Sequence, residues 1–301
     1  LNIMISVVLT TFNGQNYLSE QIESILIQTY KKFELVIIDD CSKDSTLSII
    51  NNFQKKDSRI KVVPNKENLG CSRNFQKGVL HASHDLIAFC DQDDIWCDNK
   101  LEILNDKIKN DSLDMVYSDC TVIDSTGAEI HSSFSNINKI SGCSSLNKDV
   151  IAISMFNSYI LGCSMLIKKA SLLKCIPFEN DKHNHDKWIV FNLACIGKFA
   201  FVSNKLFKYR LHSTNLSIGK NKNQPFGTKN NFYSSHTLNR IDINSVNDKI
   251  IFKKLIKKLE DFENNYGILS RFCFALYFNK FFFLADNSVK RAKKIIRFIV
   301  R

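Results

Sequence analysis

LIAFCDQDDIW, Leu86–Trp96, runs five apolar residues straight into three carboxylates within four positions, Asp91, Asp93 and Asp94. A short continuous apolar run of this kind reads as a strand buried on both faces. A core does not tolerate such carboxylates, so they sit where the strand leaves the sheet. In open α/β sheets ligands bind outside that carboxyl edge. Asp91 and Asp93, two positions apart, can aim at one hard cation, and Mg²⁺ or Mn²⁺ is commonly held by one or two carboxylates with substrate phosphates. The same residues fit an acidic loop before a capped helix equally well.

Working outward, the preceding chain repeats the pattern. Ile5–Leu9 is an apolar, β-branched run ending in Thr10-Thr11-Phe12-Asn13-Gly14. Leu18, Ile22, Ile25 and Leu26 then mark one face of a helix. Phe33–Ile38 is a second strand that also ends in acid, Asp39-Asp40, and Leu47, Ile50 and Phe53 give the next helix its inner face. Ile60–Val63 is a third strand, stopped by Pro64. A turn at 65–70 leads into a helix carrying Arg73, Asn74, Phe75 and Val79. Four alternations of strand and helix call for a mostly parallel sheet with helices on both faces. Neither a G-x-G-x-x-G turn nor a G-x-x-x-x-G-K-[ST] loop is present, so phosphates have to be neutralised by a metal instead.

Beyond Trp96 a helix is expected on Leu101, Leu104 and Ile108, and a strand at Met115–Ser118. Residues 121–149, rich in Ser, Asn and Gly, read as a long, partly mobile loop. Gly162–Ile167 reads as a strand, and His185-Asp186-Lys187-Trp188 opens a helix that Gly197 ends. Phe199–Val202 and Leu206–Tyr209 are two short strands, followed by Arg210, His212 and Asn215 in a polar loop.

Composition narrows the class. At 301 residues and 44% hydrophobic content, with three prolines, the chain can bury a large core. The formal charge is +11, but residues 240–301 hold 14 Lys and Arg against 6 Asp and Glu, and the rest is nearly balanced. This describes a catalytic body with a basic tail more than a basic nucleic-acid-binding protein, the alternative of another class. The ten cysteines form no C-x-x-C pair and several lie in apolar runs, which points to a reducing, cytoplasmic setting. The first residues lack the basic segment and cleavage site of a signal peptide.

Four motifs at matching spacing resemble the family 2 glycosyltransferases of bacterial polysaccharide assembly. They are SVVLTTFNG at 6–14, ELVIIDDCSKDST at 34–46, ENLGCSRN at 67–74 and CDQDDIW at 90–96. DQDDIW, with HDKW at 185–188, is similar to rhamnosyltransferase-like members; HDKW resembles the family's base motif and YRLH at 209–212 a late loop of it. The resemblance implies the GT-A fold: a Rossmann-like nucleotide-sugar-binding half at 1–120, an acceptor-binding half at 121–220, and a basic, Phe-rich helical extension at 221–301. It implies an inverting transfer from a nucleotide sugar, with dTDP-rhamnose as the expected donor and a UDP-hexose such as UDP-Glc, UDP-Gal or an N-acetylhexosamine as the alternative. The acceptor is a hydroxyl of a lipid-linked surface glycan, an O-antigen or a capsule.

The same resemblance assigns roles residue by residue. Asp93, with Asp91 beside it at the metal or ribose, holds Mg²⁺ or Mn²⁺ against the diphosphate. His212 closes that site, unless it is only a solvent-exposed loop histidine. Asp40 accepts a hydrogen bond from the base's imide N–H, with a helix N-cap as its alternative. Thr10 and Phe12 line the base pocket. Asn68 and Arg73 reach base or phosphate, against a helix cap and a surface ion pair. Asp186 is the general base that takes the acceptor proton, or else the N-cap before Trp188–Ile196. Asp39 is structural, and Asp94 caps the segment that follows it.

The tail lacks a spanning segment. Its longest charge-free apolar run, Phe272–Phe278, falls far short of the ~20 residues that a crossing helix needs. Lys290, Arg291, Lys293, Lys294, Arg297 and Arg301 interleave with Ile295, Ile296, Phe298, Ile299 and Val300. That pattern suits an interfacial helix on anionic lipid, peripheral on the inner face of the cell membrane, or a helical bundle with a solvated basic face. If the tail binds lipid, removing residues 286–301 abolishes co-sedimentation with anionic liposomes; equal sedimentation of both forms points to the bundle.

Overall fold

The structure is a computed structural model, and it describes residues 4–138, 160–178, 185–213, 215, 241, 246 and 249–264. Its centre is a nine-stranded sheet. The strands are β1 (Ile5–Thr11), β2 (Phe33–Asp39), β3 (Ile60–Pro64), β4 (Leu86–Cys90), β5 (Ile95–Trp96), β6 (Met115–Ile123), β7 (Glu129–His131), β8 (Met165–Lys168) and β9 (Phe199–Arg210). The order is β3-β2-β1-β4-β8-β6-β9-β5, with β7 on β6. β1, β2, β3 and β4 are mutually parallel, as are β6 and β9, while β8 runs antiparallel between β4 and β6.

Every residue of β1, β2 and β4 is buried, as continuous apolar runs covered on both sides should be. Alternate side chains feed two cores. Val8, Ile87 and Phe89 face one, with Phe75 and Val79 of helix α3 (Cys71–His81). Val7, Leu9, Ala88 and Cys90 face the other, with Ile22 and Ile25 of α1 (Leu18–Leu26), Ile50 of α2 (Thr46–Gln54) and Leu101 and Leu104 of α4 (Lys100–Asn110). Trp188, Ile189 and Phe191 of a later helix, His185–Ile196, join the first core, as do Phe252, Leu255 and Leu259 of Lys249–Asn264. With α5 (Phe134–Asn138) and α6 (Lys169–Leu173) before them, these two are α7 and α8.

Chain order runs outward from β1 to β3 and then returns to place β4 on the other flank of β1. That reversal opens a crevice between the ends of β1 and β4, the position where open α/β sheets bind ligands. β3 tolerates its terminal Pro64 because it is an edge strand.

Three expectations need correction. Residues 121–138 are ordered: β6 runs on to Ile123, and an Asp124–Gly127 turn, with Gly127 at φ +91°, folds β7 back on it. The Asp119 carboxylate then fastens Ser133 and Ser135 at the start of α5. Asp124 and Gly127 were the turn signal overlooked among the serines. The two short strands expected after 199 are one, β9, whose register against β6 shifts around Asp119. Gly162–Ser164 is a 3₁₀ turn, and the strand begins only at Met165. The eight described cysteines are free, and among the described residues no helix is long and apolar enough to cross a membrane. The basic stretch at 286–301 and the Phe-rich run at 268–285 lie outside the described residues.

The closest approach of α3 to the sheet is set by Gly78. A Cβ there would lie 2.2 Å from Val8 Cγ1 and 3.3 Å from Ile38 Cγ1. Val8 is β-branched and fully buried, so it cannot turn aside. Gly78→Ala should therefore destabilise by about 1–3 kcal/mol despite the helix preference for Ala, read as a lower urea midpoint.

Candidate functional site

Parallel strands deliver their C-terminal residues to one rim. Thr10, Thr11 and Phe12 leave β1 there, Asp39 and Asp40 leave β2, and Asp91 to Asp94 leave β4. The loops are locked to one another. Asn13, at φ +50°, donates its N–H to Ser42 Oγ and accepts from the Lys43 N–H through Oδ1, each at 2.9 Å. Gln92 bridges β1 and β4: its Oε1 takes Thr11 Oγ1 at 2.7 Å and the Phe12 N–H at 2.9 Å. Gly14 leaves the room for it, since a Cβ would sit 2.2 Å from that oxygen. Thr10 is buried beneath the rim and Phe12 is exposed on it.

Asp39 is structural as expected, its carboxylate holding the N–H and hydroxyl of Ser42. Asp40 is not the cap of α2, where Asp44 takes the Thr46 N–H. Its buried carboxylate shapes the turn into α3. Oδ1 accepts from Asn65 Nδ2 at 2.8 Å and the Leu69 N–H at 2.7 Å, and Oδ2 accepts from the Gly70 N–H at 2.9 Å. Oδ2 thus keeps acceptor capacity on the rim. Asn68 Nδ2 donates to the Asp40 carbonyl at 3.3 Å, so the turn 65–70 is a cradle built around Asp40. Arg73 is exposed on α3 and makes no ion pair with any described residue.

The aspartates after β4 crowd together. Burial, then repulsion from Asp93 and Asp186, pushes the Asp91 carboxyl up to about 7. Asp94 is fully buried and driven well above the ordinary carboxylate range by burial and by Asp93 and Asp91. The expectation that Asp94 caps the next segment is corrected: its Oδ1 accepts the Arg210 N–H at 3.1 Å, from the end of β9, the strand that pairs with β5, and its Oδ2 has no hydrogen-bond partner among the described residues. Beneath it Lys100, equally buried, donates to the Cys163 carbonyl at 2.6 Å and lies 3.7 Å over the Trp96 ring. Its ammonium supplies the counter-charge that a short acidic motif cannot contain.

His212 is no solvent-exposed loop residue. Its Nε2 is 2.8 Å from Asp93 Oδ2, and the imidazole lies 5.0 Å from the Tyr17 ring. The three ligands expected together thus fall into two adjoining sets. Asp93 meets His212, whereas Asp91 lies with Asp94 and Cys163, ligand atoms all within 4.8 Å of one another. A cation fits this donor set: acidic neighbours raise the proton affinities of Asp91 and Asp94 at a buried rim, and Asp94 Oδ2 is a buried acceptor with no donor among the described residues.

Asp186 is the second residue of α7, inside the helix, so it is not the N-cap. It is largely buried, accepts the Lys187 N–H at 2.6 Å, and burial pushes its carboxyl up to about 6. It lies near enough to Asp91 to raise that residue's proton affinity, which brings α7 against the β4 rim. His185 is stacked on Phe75 at 4.1 Å, and burial drives its imidazole down to about 3, so it is neutral. Gly162 admits this pair, since a Cβ there would lie 3.0 Å from His185 Nε2 and 3.5 Å from Asp186 Cβ. Gln92 lies within CDQDDIW without any role read for it, and Lys100, Gly162, Tyr17 and Glu20 carry no periodic or motif signal pointing to the site. Arg210 did, as the one cation beside His212 in YRLH.

The sequence family described as Glycosyl transferase family 2 matches residues 6–161. An uncharacterized glycosyltransferase of Rickettsia prowazekii (strain Madrid E) is 29% identical over 218 residues, 70% of this chain. The chain spans 64% of that relative's length, a little under two thirds. The UDP-Glc:alpha-D-GlcNAc-diphosphoundecaprenol beta-1,3-glucosyltransferase WfgD of Escherichia coli is 28% identical over 225 residues, 73% of this chain and 81% of that protein. Among solved structures, S. aureus TarS 1–349 in complex with UDP-GlcNAc superposes with a TM-score of 0.63 at 16% identity, over 99% of this chain and 90% of that one. The mannosyltransferase PcManGT from Pyrobaculum calidifontis, in complex with GDP-Man and Mn²⁺, gives 0.55 at 15% identity, over 71% and 59%. These likenesses show the fold, which is GT-A.

Proposed function

The chain belongs to glycosyl transferase family 2, and on that premise we propose that it moves a sugar from a nucleotide-sugar donor to a hydroxyl of a surface glycan, with inversion. One observation carries the reading. A largely buried carboxyl, Asp186, with a proton affinity raised to about 6, lies near enough to Asp91 at the sheet's carboxyl edge to raise that residue's proton affinity. A carboxylate poised there can take the acceptor proton near neutral pH, the condition under which general-base catalysis is efficient.

The other residues divide the work. Thr10, Phe12 and the Asp40 cradle with Asn68 receive the base, and the exposed Arg73 guanidinium is available to phosphate. Asp93, Asp91 and His212 would hold Mg²⁺ or Mn²⁺. When bound, the cation screens the negative charge that grows on the departing diphosphate oxygen. Neutral His185, fixed on Phe75, steadies the first turn of α7 so that Asp186 keeps its orientation.

The donor we favour is dTDP-rhamnose, supported by DQDDIW and HDKW. A UDP-hexose is the second reading, supported by the UDP-Glc in the name of WfgD and the UDP-GlcNAc bound to TarS. The diphosphoundecaprenol in the name of WfgD supports a lipid-linked acceptor, and with it a peripheral place at a membrane through the basic tail. Family membership sets aside the nucleic-acid-binding alternative that the charge of +11 suggested. Thermal-shift screening of dTDP-, UDP- and GDP-sugars with Mn²⁺ tests the donor. Stabilisation by dTDP-rhamnose over the UDP-sugars supports the first reading, and the reverse order replaces it.

Asp186→Asn tests the base. Transfer should fall by about 10²–10⁴-fold while nucleotide-diphosphate binding is kept. In the wild type the rate should rise with pH through about 6 and level off above it, as the carboxyl loses its proton. Stability moves the opposite way. A carboxyl that binds its proton more tightly folded than unfolded favours the native state most at low pH, and loses that contribution as pH rises through about 6. Asp186→Asn should therefore melt above the wild type at pH 7.5, with the gap closing toward pH 4. Near-normal turnover of the variant would remove Asp186 from the role.

A further inference from the structure

We propose that Arg210 is a positioning residue: it clasps three segments of the chain so that His212 and Asp93 meet in ligand geometry. The inference rests on the reading of those two residues as cation ligands. Arg210 ends β9, and its side chain is 3% exposed, whereas Glu20, its ion-pair partner at the start of α1, is 54% exposed. Burying a guanidinium against a half-solvated carboxylate does little for stability, and an apolar side chain would fill the same space at lower desolvation cost. What an apolar side chain could not do is reach several segments in fixed directions.

Those directions are specific. Nε donates to the Asp93 carbonyl at 2.9 Å, Nη2 to Glu20 Oε2, and Nη1 to the Ser125 carbonyl at 3.5 Å. The guanidinium lies 4.7 Å from the centre of the Tyr17 ring, and that ring is 5.0 Å from the His212 imidazole. Tyr17 therefore spaces the two side chains. The main chain of Arg210 takes part as well: its N–H goes to Asp94 Oδ1 at 3.1 Å, and its carbonyl accepts from Asn215 Nδ2 at 3.1 Å. Asn215 Oδ1 in turn accepts the His212 N–H, closing the turn that aims the imidazole at Asp93. One residue thus sets the Asp93 main chain, the Asp94 carboxylate, and the turn carrying His212. A lysine keeps the charge but offers a single ammonium in place of the planar fork.

The test measures Mn²⁺ affinity calorimetrically, with UDP as the nucleotide probe, for wild type, Arg210→Lys, Glu20→Gln and Asp93→Asn. Arg210→Lys should bind Mn²⁺ about tenfold more weakly, the scale on which groups that orient metal ligands act. Metal-free UDP binding should be unchanged. Glu20→Gln alters a half-exposed residue and should fold normally, so it keeps the inference testable if Arg210→Lys does not fold; it should weaken Mn²⁺ by a smaller factor. A merely structural role would lower the melting temperature and leave the Mn²⁺ affinity of the folded protein intact. Wild-type Mn²⁺ affinity in Glu20→Gln and in any folded Arg210→Lys, with loss in Asp93→Asn, overturns the clasp. Wild-type affinity in Asp93→Asn overturns the cation reading beneath it, and the clasp with it.

Discussion

Like charges in a confined, poorly hydrated space govern this molecule. Asp91, Asp93 and Asp94 follow one buried strand, and Asp186 joins them from a helix about a hundred residues on. Burial first, and then their acidic neighbours, raise the proton affinities of Asp91 and Asp94, because little water is left to screen them. The fold answers with fixed counter-charges behind the rim, Lys100 under Asp94 and Arg210 against the Asp93 main chain, and sets the His212 imidazole 2.8 Å from the Asp93 carboxylate. What is left over on the open side is an excess of negative charge that a divalent cation with a diphosphate would complete.

That arrangement needs rigid support, and the support is mostly neutral. Gln92 ties the ends of β1 and β4, Ser42 and Asn13 tie the loops after β1 and β2, and Asp40 gathers the turn before α3. Glycine makes three close approaches possible: Gly14 against Gln92, Gly78 against Val8 and Gly162 against His185. The result is a rim whose loops are tied to one another by side-chain to main-chain hydrogen bonds.

The parallel half of the fold was legible because its strands are continuous apolar runs ended by polar turns, and the alternation with amphipathic helices admits few topologies. The place of Asp40, Asp91 and Asp93 on one rim was legible for the same reason, since a carboxylate that ends a buried apolar run falls where the strand leaves the sheet. The hairpin at 121–131 was missed because Asp124 and Gly127 are two turn residues diluted among serines. The unbroken course of β9 was missed because a bulge lets Ser203-Asn204-Lys205, polar and exposed, remain within a strand. Asp94 reads as a cap from sequence because it ends a polar run, Asp91-Gln92-Asp93-Asp94, while its partners, Arg210 and Cys163, are more than 60 positions away.

By itself the sequence determined the doubly covered sheet, the edge at which chemistry gathers and the identity of the acids there, since local hydrophobic pattern and strand-end polarity depend only on neighbours along the chain. Only the tertiary structure decided which acids share a charge environment, which one is buried deepest, and which cation answers it. Those are distances between residues 20, 93, 100, 186 and 210, and electrostatic coupling in a low-dielectric interior follows separation in space, not position in the chain.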